Sequence, residues 1–208
     1  MRVNGGTDMQ AAEIGGGGYG FAGTATATSA TSLTATGTPF VASAYIGQMV
    51  CAGSAYGVVT GNTTGVLTID QWYSPASPGG SVATTPGGTT TYVIVPGQAP
   101  AMFMALTANS SAVNATDSAL TGEITTSGGG LIKKLAAWAH TTSASTYTMA
   151  ATFTANGSDS LPVTVAKAGM FNSIKATTGI MQFATLLSAT ASYAAIGDTS
   201  TITQTVTM

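Results

Sequence analysis

The chain has 208 residues, of which 44% are hydrophobic and 6% charged, and its formal net charge is -2. That length supports one good core or two small ones, and the hydrophobic content combined with low net charge argues against disorder. The absence of a basic stripe, needed to displace counterions from phosphates, argues against nucleic-acid binding.

Charge placement is more informative than charge number. Arg2, Asp8 and Glu13 open the chain, Asp70 is the only charge between Ile14 and Thr116, and the remaining charges lie from Asp117 onward. A soluble monomer relies on surface charge to prevent association. This chain must rely on threonine, serine and asparagine instead, or be packed against neighbours, and the second is the expectation. Mean hydropathy is +0.33, yet Gly, Thr, Ser and Pro interrupt every apolar run before membrane-spanning length. "MRVNGGTDMQAAE" lacks the apolar region of a signal peptide. Cys51 stands alone, so no internal disulfide forms and a buried free thiol is expected.

Residues 1–22 read as an extended N-terminal arm. "TDMQAAEI" carries a Thr-x-x-Gln capping box suited to a short helix, and "GGGGYG" ends it. Residues 23–97 read as a small β-rich module. "GTATATSATSLT" alternates small and β-branched residues, and "YIGQMVCAG" and "YGVVTGNTTGVLTIDQWY" follow with glycine turn signals. "SPASPGGSVATTPGG" is a Pro/Gly loop, and "TTTYVIV" is a strand stopped by Pro96 and Gly97.

Residues 98–208 read as a C-terminal domain. "QAPAMFMALTAN" suggests a second helical turn, with Met102, Phe103 and Leu106 as its apolar residues. Six strands are then expected in "GEITTS", "LIKKLAAWAH", "TYTMAATFTA", "LPVTVAKAGMF", "GIMQFATLL" and "DTSTITQTVTM". In the third, Tyr147, Met149, Ala151 and Phe153 share one face and threonines most of the other. In the last, Thr199, Thr201, Thr203, Thr205 and Thr207 oppose Ile202, Val206 and Met208. This is the alternation of half-buried antiparallel sheet. The fold class is therefore all-β, with an arm, a small β module and an antiparallel β-sandwich of jelly-roll-like type.

Candidate chemistry is sparse. Gly15, Gly17 and Gly20 match G-x-G-x-x-G but lack the strand, helix and acid that a dinucleotide site needs. His140 is the single histidine and has no G-x-S-x-G elbow to serve. One Cys and one His exclude a multi-ligand Cys/His metal site, and Asn156 with Asp159 in "NGSDS" lacks EF-hand spacing. Asp70, Asp117, Glu123, Asp159 and Asp198 show no spacing that would converge two carboxylates, and Asp159 suits a turn-bracing role. Asn-x-Ser/Thr matches at Asn62, Asn109, Asn114 and Asn156 arise by chance in so Ser/Thr-rich a chain. No catalytic, cofactor or metal residue is expected, and no enzyme.

Candidate interface residues are Trp72 and Tyr73 in "DQWYSP", Met102 and Phe103, and the basic pair Lys133 and Lys134. For Trp72 and Tyr73 the competing role is a strand end packing its own core. Adjacent strand residues face opposite sides, so one lysine at most turns cleanly outward; the other is free to pair with Glu123 or another acid, with a plain solvated position as the default.

The stretches "LTANSSAVNATDSALTGEITTSGGGLIKKLAAWAH" and "YTMAATFTANGSDSLPVTVAKAGMFN", with the final "GD…T-x-T-x-T-V" strand, resemble a group of tailed-bacteriophage virion proteins, particularly from phages of actinobacteria. "YIGQMV…YGVV…NTTGVLTIDQWYSPASPGG" resembles the module preceding them, so the likeness covers most of residues 23–208. "SIKATTGIMQF" departs from the Gly-Gly turn of that pattern. The resemblance implies a non-enzymatic virion component made in the host cytoplasm. Its expected form is a homotrimeric capsid decoration (cement) protein that binds the major capsid protein on the outer head surface. It implies no cofactor, no nucleic acid and no membrane. The alternative is a minor tail or short tail-fibre protein that attaches to host glycans, for which Trp72, Tyr73 and Trp138 are the aromatic candidates. A stand-alone carbohydrate-binding module is the third class.

Overall fold

The computed structural model describes residues 21–74, 84–176 and 179–207. The expected arm helix, the G-x-G-x-x-G match, the core of the Pro/Gly loop and Met208 lie outside these residues. The chain divides into two compact units between Pro100 and Ala101, and all regular structure described is β-strand.

The first unit holds six strands, β1 (Phe21–Ser29), β2 (Ser32–Ala35), β3 (Gln48–Ala52), β4 (Ala55–Asn62), β5 (Val66–Ile69) and β6 (Thr91–Gln98). They close into an antiparallel barrel in the order β1-β2-β5-β4-β3-β6. Phe21 and Ala22 already pair with Ile94 and Val93, so the barrel begins inside the segment expected to be arm. Closure removes sheet edges, and alternate residues fill the interior. Leu33, Val50, Val59, Leu67, Ile69, Trp72 and Ile94 are buried there. Pro96 and Gly97 do not stop β6. They form a bulge, since Met49 pairs with Val95 but Gln48 pairs with Gln98, and Gly97 takes the positive φ of 86° that the bulge requires. Cys51 lies on the outward side of β3 and is half-buried, not buried as expected. Partial burial pushes its thiol pKa up.

The second unit holds β7 (Phe103–Thr107), β8 (Lys134–Leu135), β9 (Ala137–His140), β10 (Thr146–Thr154), β11 (Val163–Phe171), β12 (Met181–Tyr193) and β13 (Thr199–Thr207). One sheet has the order β12-β11-β7-β8 and the other β13-β10-β9. Met149, Ala151, Phe153 and Ile202 of the three-stranded sheet share a buried cluster with Met104, Leu106, Val165 and Met170 of the four-stranded sheet. The described residues of this unit form a sandwich of seven strands.

Three expected elements differ in the structure. "QAPAMFMALTAN" contributes strand β7, not a helical turn, and all five of its strand residues are buried. A short, continuously apolar run fits either element, and pairing with β11 and β8 decides it. "LIKKLAAWAH" is two strands separated by buried Ala136, so the chain passes from one sheet to the other within three residues. "GEITTS" supplies only an isolated bridge from Glu123 to Thr107. The outer side of the four-stranded sheet is covered by the segment between β7 and β8, where Leu120 packs with Ala105, Phe171, Met181 and Ala184.

Candidate interaction surface

The sequence-selected interface residues mostly lie inside their own units. Trp72 and Tyr73 are 1% and 0% exposed. Trp72 fills the barrel core and donates its Nε1 hydrogen to Ser29 O at 2.8 Å. Tyr73 stacks on Tyr56 at 5.2 Å and its hydroxyl donates to the buried carboxylate of Asp70. Phe103 is buried in β7 and Met102 is half-buried. These residues pack their own cores, so none of Trp72, Tyr73 and Phe103 is a surface anchor.

Lys133 is buried too, with Nζ 3.3 Å from Glu123 Oε1. It also donates to Lys175 O at 2.9 Å and sits 3.8 Å above the Phe171 ring. Burial lowers its pKa from the ordinary lysine value, and the Glu123 charge and hydrogen bond oppose that shift. The pair lies on the outer side of the four-stranded sheet, where Glu123, Leu120, Phe171 and Gly179 line a cleft of about 310 Å³. It fastens the covering segment to the sheet. Lys134 turns the other way, donates to Thr152 O at 3.1 Å and lies 4.8 Å from the Phe153 ring. Burial lowers its pKa as well, opposed by Asp159.

The "NGSDS" loop is a turn. Asp159 accepts backbone hydrogens from Asn156 at 2.8 Å, Gly130 at 2.9 Å and Leu131 at 3.3 Å. Three N–H donors converging on one carboxylate serve the charge as a partner cation would, so the group is engaged in bracing two loops. His140 is exposed and approaches Ala144 O at 3.0 Å. Among the described residues no group of three potential metal ligands occurs, and no helix is long and apolar enough to cross a membrane.

The outer face of the three-stranded sheet is rich in threonine, half-buried over much of β10 and exposed along β13. On β10, Thr146, Thr148, Ala150, Thr152 and Thr154 lie opposite Thr207, Thr205, Thr203, Thr201 and Thr199 of β13. Ala137 and Ala139 of β9 extend the face beyond Ala150 and Thr148. Every residue of this array is uncharged, and the β13 threonines are all exposed. Thr152 and Thr201 share a hydroxyl hydrogen bond of 2.8 Å, and Thr154 and Thr199 one of 2.9 Å. Rows spaced by the strand separation of about 4.8 Å make a regular surface of methyls and hydroxyls. The chain matches no family model, no curated protein and no solved structure. The surface must therefore be interpreted from its own chemistry.

Two further features lie at the edges of the three-stranded sheet, the first at Trp138, one of the aromatic candidates of the sequence, and the second without any sequence signal. Trp138 is 63% exposed, and its ring stacks beside that of His140 at 5.9 Å on edge strand β9. At the opposite edge, β12 and β13 border a groove of about 570 Å³.

Proposed function

We propose that this chain is a non-enzymatic virion structural protein, a capsid decoration protein that docks on the outer face of a phage head and stabilises it. The uncharged threonine array of β10 and β13 carries this reading. A regular β face without charge suits repeated docking on a regular lattice. Desolvating hydroxyls there costs far less than desolvating ions, and each hydroxyl serves as donor or acceptor. Weak individual contacts suffice, because several linked copies engaging one lattice gain avidity. The resemblance to virion proteins and the scarcity of charge point the same way.

Exposed Trp138 beside His140 favours a second reading, a tail component that stacks a sugar face on this pair. Imaging virions that carry a tagged copy separates the two. Label over the whole head supports decoration, whereas label confined to the tail, with a specific glycan-array signal lost in Trp138→Ala, replaces it.

A further inference from the structure

We propose that two copies of this chain pair edge to edge through β13, so that the sheet β9-β10-β13 runs on antiparallel into its two-fold mate. β13 ends its sheet, and its outer edge borders the groove it shares with β12. Natural edge strands are guarded by Lys, Pro or inward-pointing charge. β13, "TSTITQTVT", has none of these.

A second observation asks for a polar partner at the same place. Gln204 lines the groove and is 4% exposed. Its Nε2 donates to Ala168 O at 3.1 Å, while its Oε1 is buried without a hydrogen-bond partner. A buried acceptor left unmet is a standing penalty, and because Oε1 is sealed from solvent in the single chain, an incoming donor removes it by drawing the Gln204 amide outward into the groove it lines.

The strand is complementary to itself. Antiparallel pairing centred on Thr203 sets that residue opposite its own mate, Ile202 opposite Gln204 of the second copy, and Thr201 opposite Thr205. Apolar and amide side chains then share the groove side, and threonines share the outer face. The two Gln204 side chains become diagonal neighbours, about 7–8 Å apart at Cα, which long side chains span. The second N–H of each amide is then available to the Oε1 of the other. An isologous pair of this kind uses both β13 edges and closes, leaving neither as a template for further strands. It also doubles the threonine face into one six-stranded surface. The inference goes beyond the virion reading and holds for a head or a tail location.

The test is the mass of the full chain by sedimentation and native mass spectrometry. Wild type is expected as a dimer. Thr203 is exposed, so Thr203→Asp and Thr203→Lys leave the thermal transition of the fold in place, and each sets like charges opposite one another. Each alone raises the dimer dissociation constant about fivefold or more. An equimolar mixture restores a one-to-one heterodimer, which a merely misfolded variant would not do. Wild type that stays monomeric at every concentration overturns the proposal. So does an oligomer, trimer included, that is indifferent to both charges and to their mixing.

Discussion

Asp159 Oδ2 lies 2.9 Å from the backbone nitrogen of Gly130 and accepts its hydrogen, tying the turn after β10 to the chain entering β8. Close approach makes the glycine obligatory, because a Cβ at Gly130 would overlap the carbonyl of Thr154, and one at Gly129 would overlap Asp159 itself.

Removing the carboxylate strands three N–H donors at once. Asp159→Ala is expected to destabilise the sandwich by about 2–4 kcal/mol, with Asp159→Asn losing less because one acceptor oxygen remains. Gly130→Ala is expected to cost about 3 kcal/mol or more through backbone displacement. Urea unfolding followed by circular dichroism measures all three. A change below about 0.5 kcal/mol for Asp159→Ala would show that the turn stands without its brace.

The sandwich strands were legible because β10 and β13 alternate without interruption and are buried on one side only, as Phe153 and Thr154 illustrate. β7 was not, because Phe103 to Thr107 are buried on both sides, leaving no polar phase to distinguish strand from helix. Barrel closure was illegible for a different reason. Phe21 meets Ile94 across more than seventy positions, and no local pattern encodes that pairing. Among site residues, strand alternation offered Glu123 as a partner for one lysine without saying which, and the default of a solvated position does not hold for buried Lys133. The interior placement of Trp72 matches the competing role of a strand end packing its own core, although an aromatic there also suits an interface and no local pattern separates the two. The threonine face was visible in the sequence, and the groove beside Gln204 was not, because grooves arise from how two sheet edges diverge.

Asp70 organises the closing of the barrel by accepting from Val58 N at 2.9 Å, Gln71 N at 2.7 Å and the Tyr73 hydroxyl. Tyr73→Phe is expected to lower stability by about 1–3 kcal/mol, because the hydrogen bond goes to a buried carboxylate. Gly57→Ala is expected to cost about 3 kcal/mol or more, since its Cβ would overlap Ile69 and crowd the carbonyl of Gln71. Chemical denaturation of each variant checks both, and a wild-type midpoint for Tyr73→Phe would remove Asp70 from this role.

The Lys133–Glu123 pair supports a pH prediction. Burial holds the Lys133 pKa below the ordinary value of 10.5, so on alkaline titration the native state loses this proton before the unfolded state does. Where the unfolded chain binds more protons, stability rises with pH, so this group contributes a rise in the window below 10.5. Tyr92 and Tyr193, whose pKa values burial raises, pull the opposite way at higher pH. The comparison is therefore between wild type and the double variant Lys133→Met/Glu123→Gln, which should lack the rising component. Lys133→Met alone leaves Glu123 buried without its cation and is expected to cost about 3–5 kcal/mol, whereas the double variant falls near wild type. Equal losses in the single and double variants would contradict this assignment.

The proposed docking role of the threonine array is separable from stability. Half-buried Thr148 and exposed Thr205 are directly opposed on the outer face, and replacing side chains at such a surface position changes stability by about 0.5 kcal/mol or less each. Thr148→Glu and Thr205→Glu together set two carboxylates in an otherwise uncharged surface, where docking would strip water from both. The variant is expected to melt near wild type, allowing for the repulsion between the two, yet to lose binding to phage heads that lack their own copy. Binding is measured by co-sedimentation with those heads. Trp138→Ala serves as the contrast, because that side chain lies on β9 away from the β13 rows and should leave head binding unchanged. If Trp138→Ala abolishes binding while the glutamates leave it intact, the contact belongs to the aromatic edge and the decoration reading loses its surface.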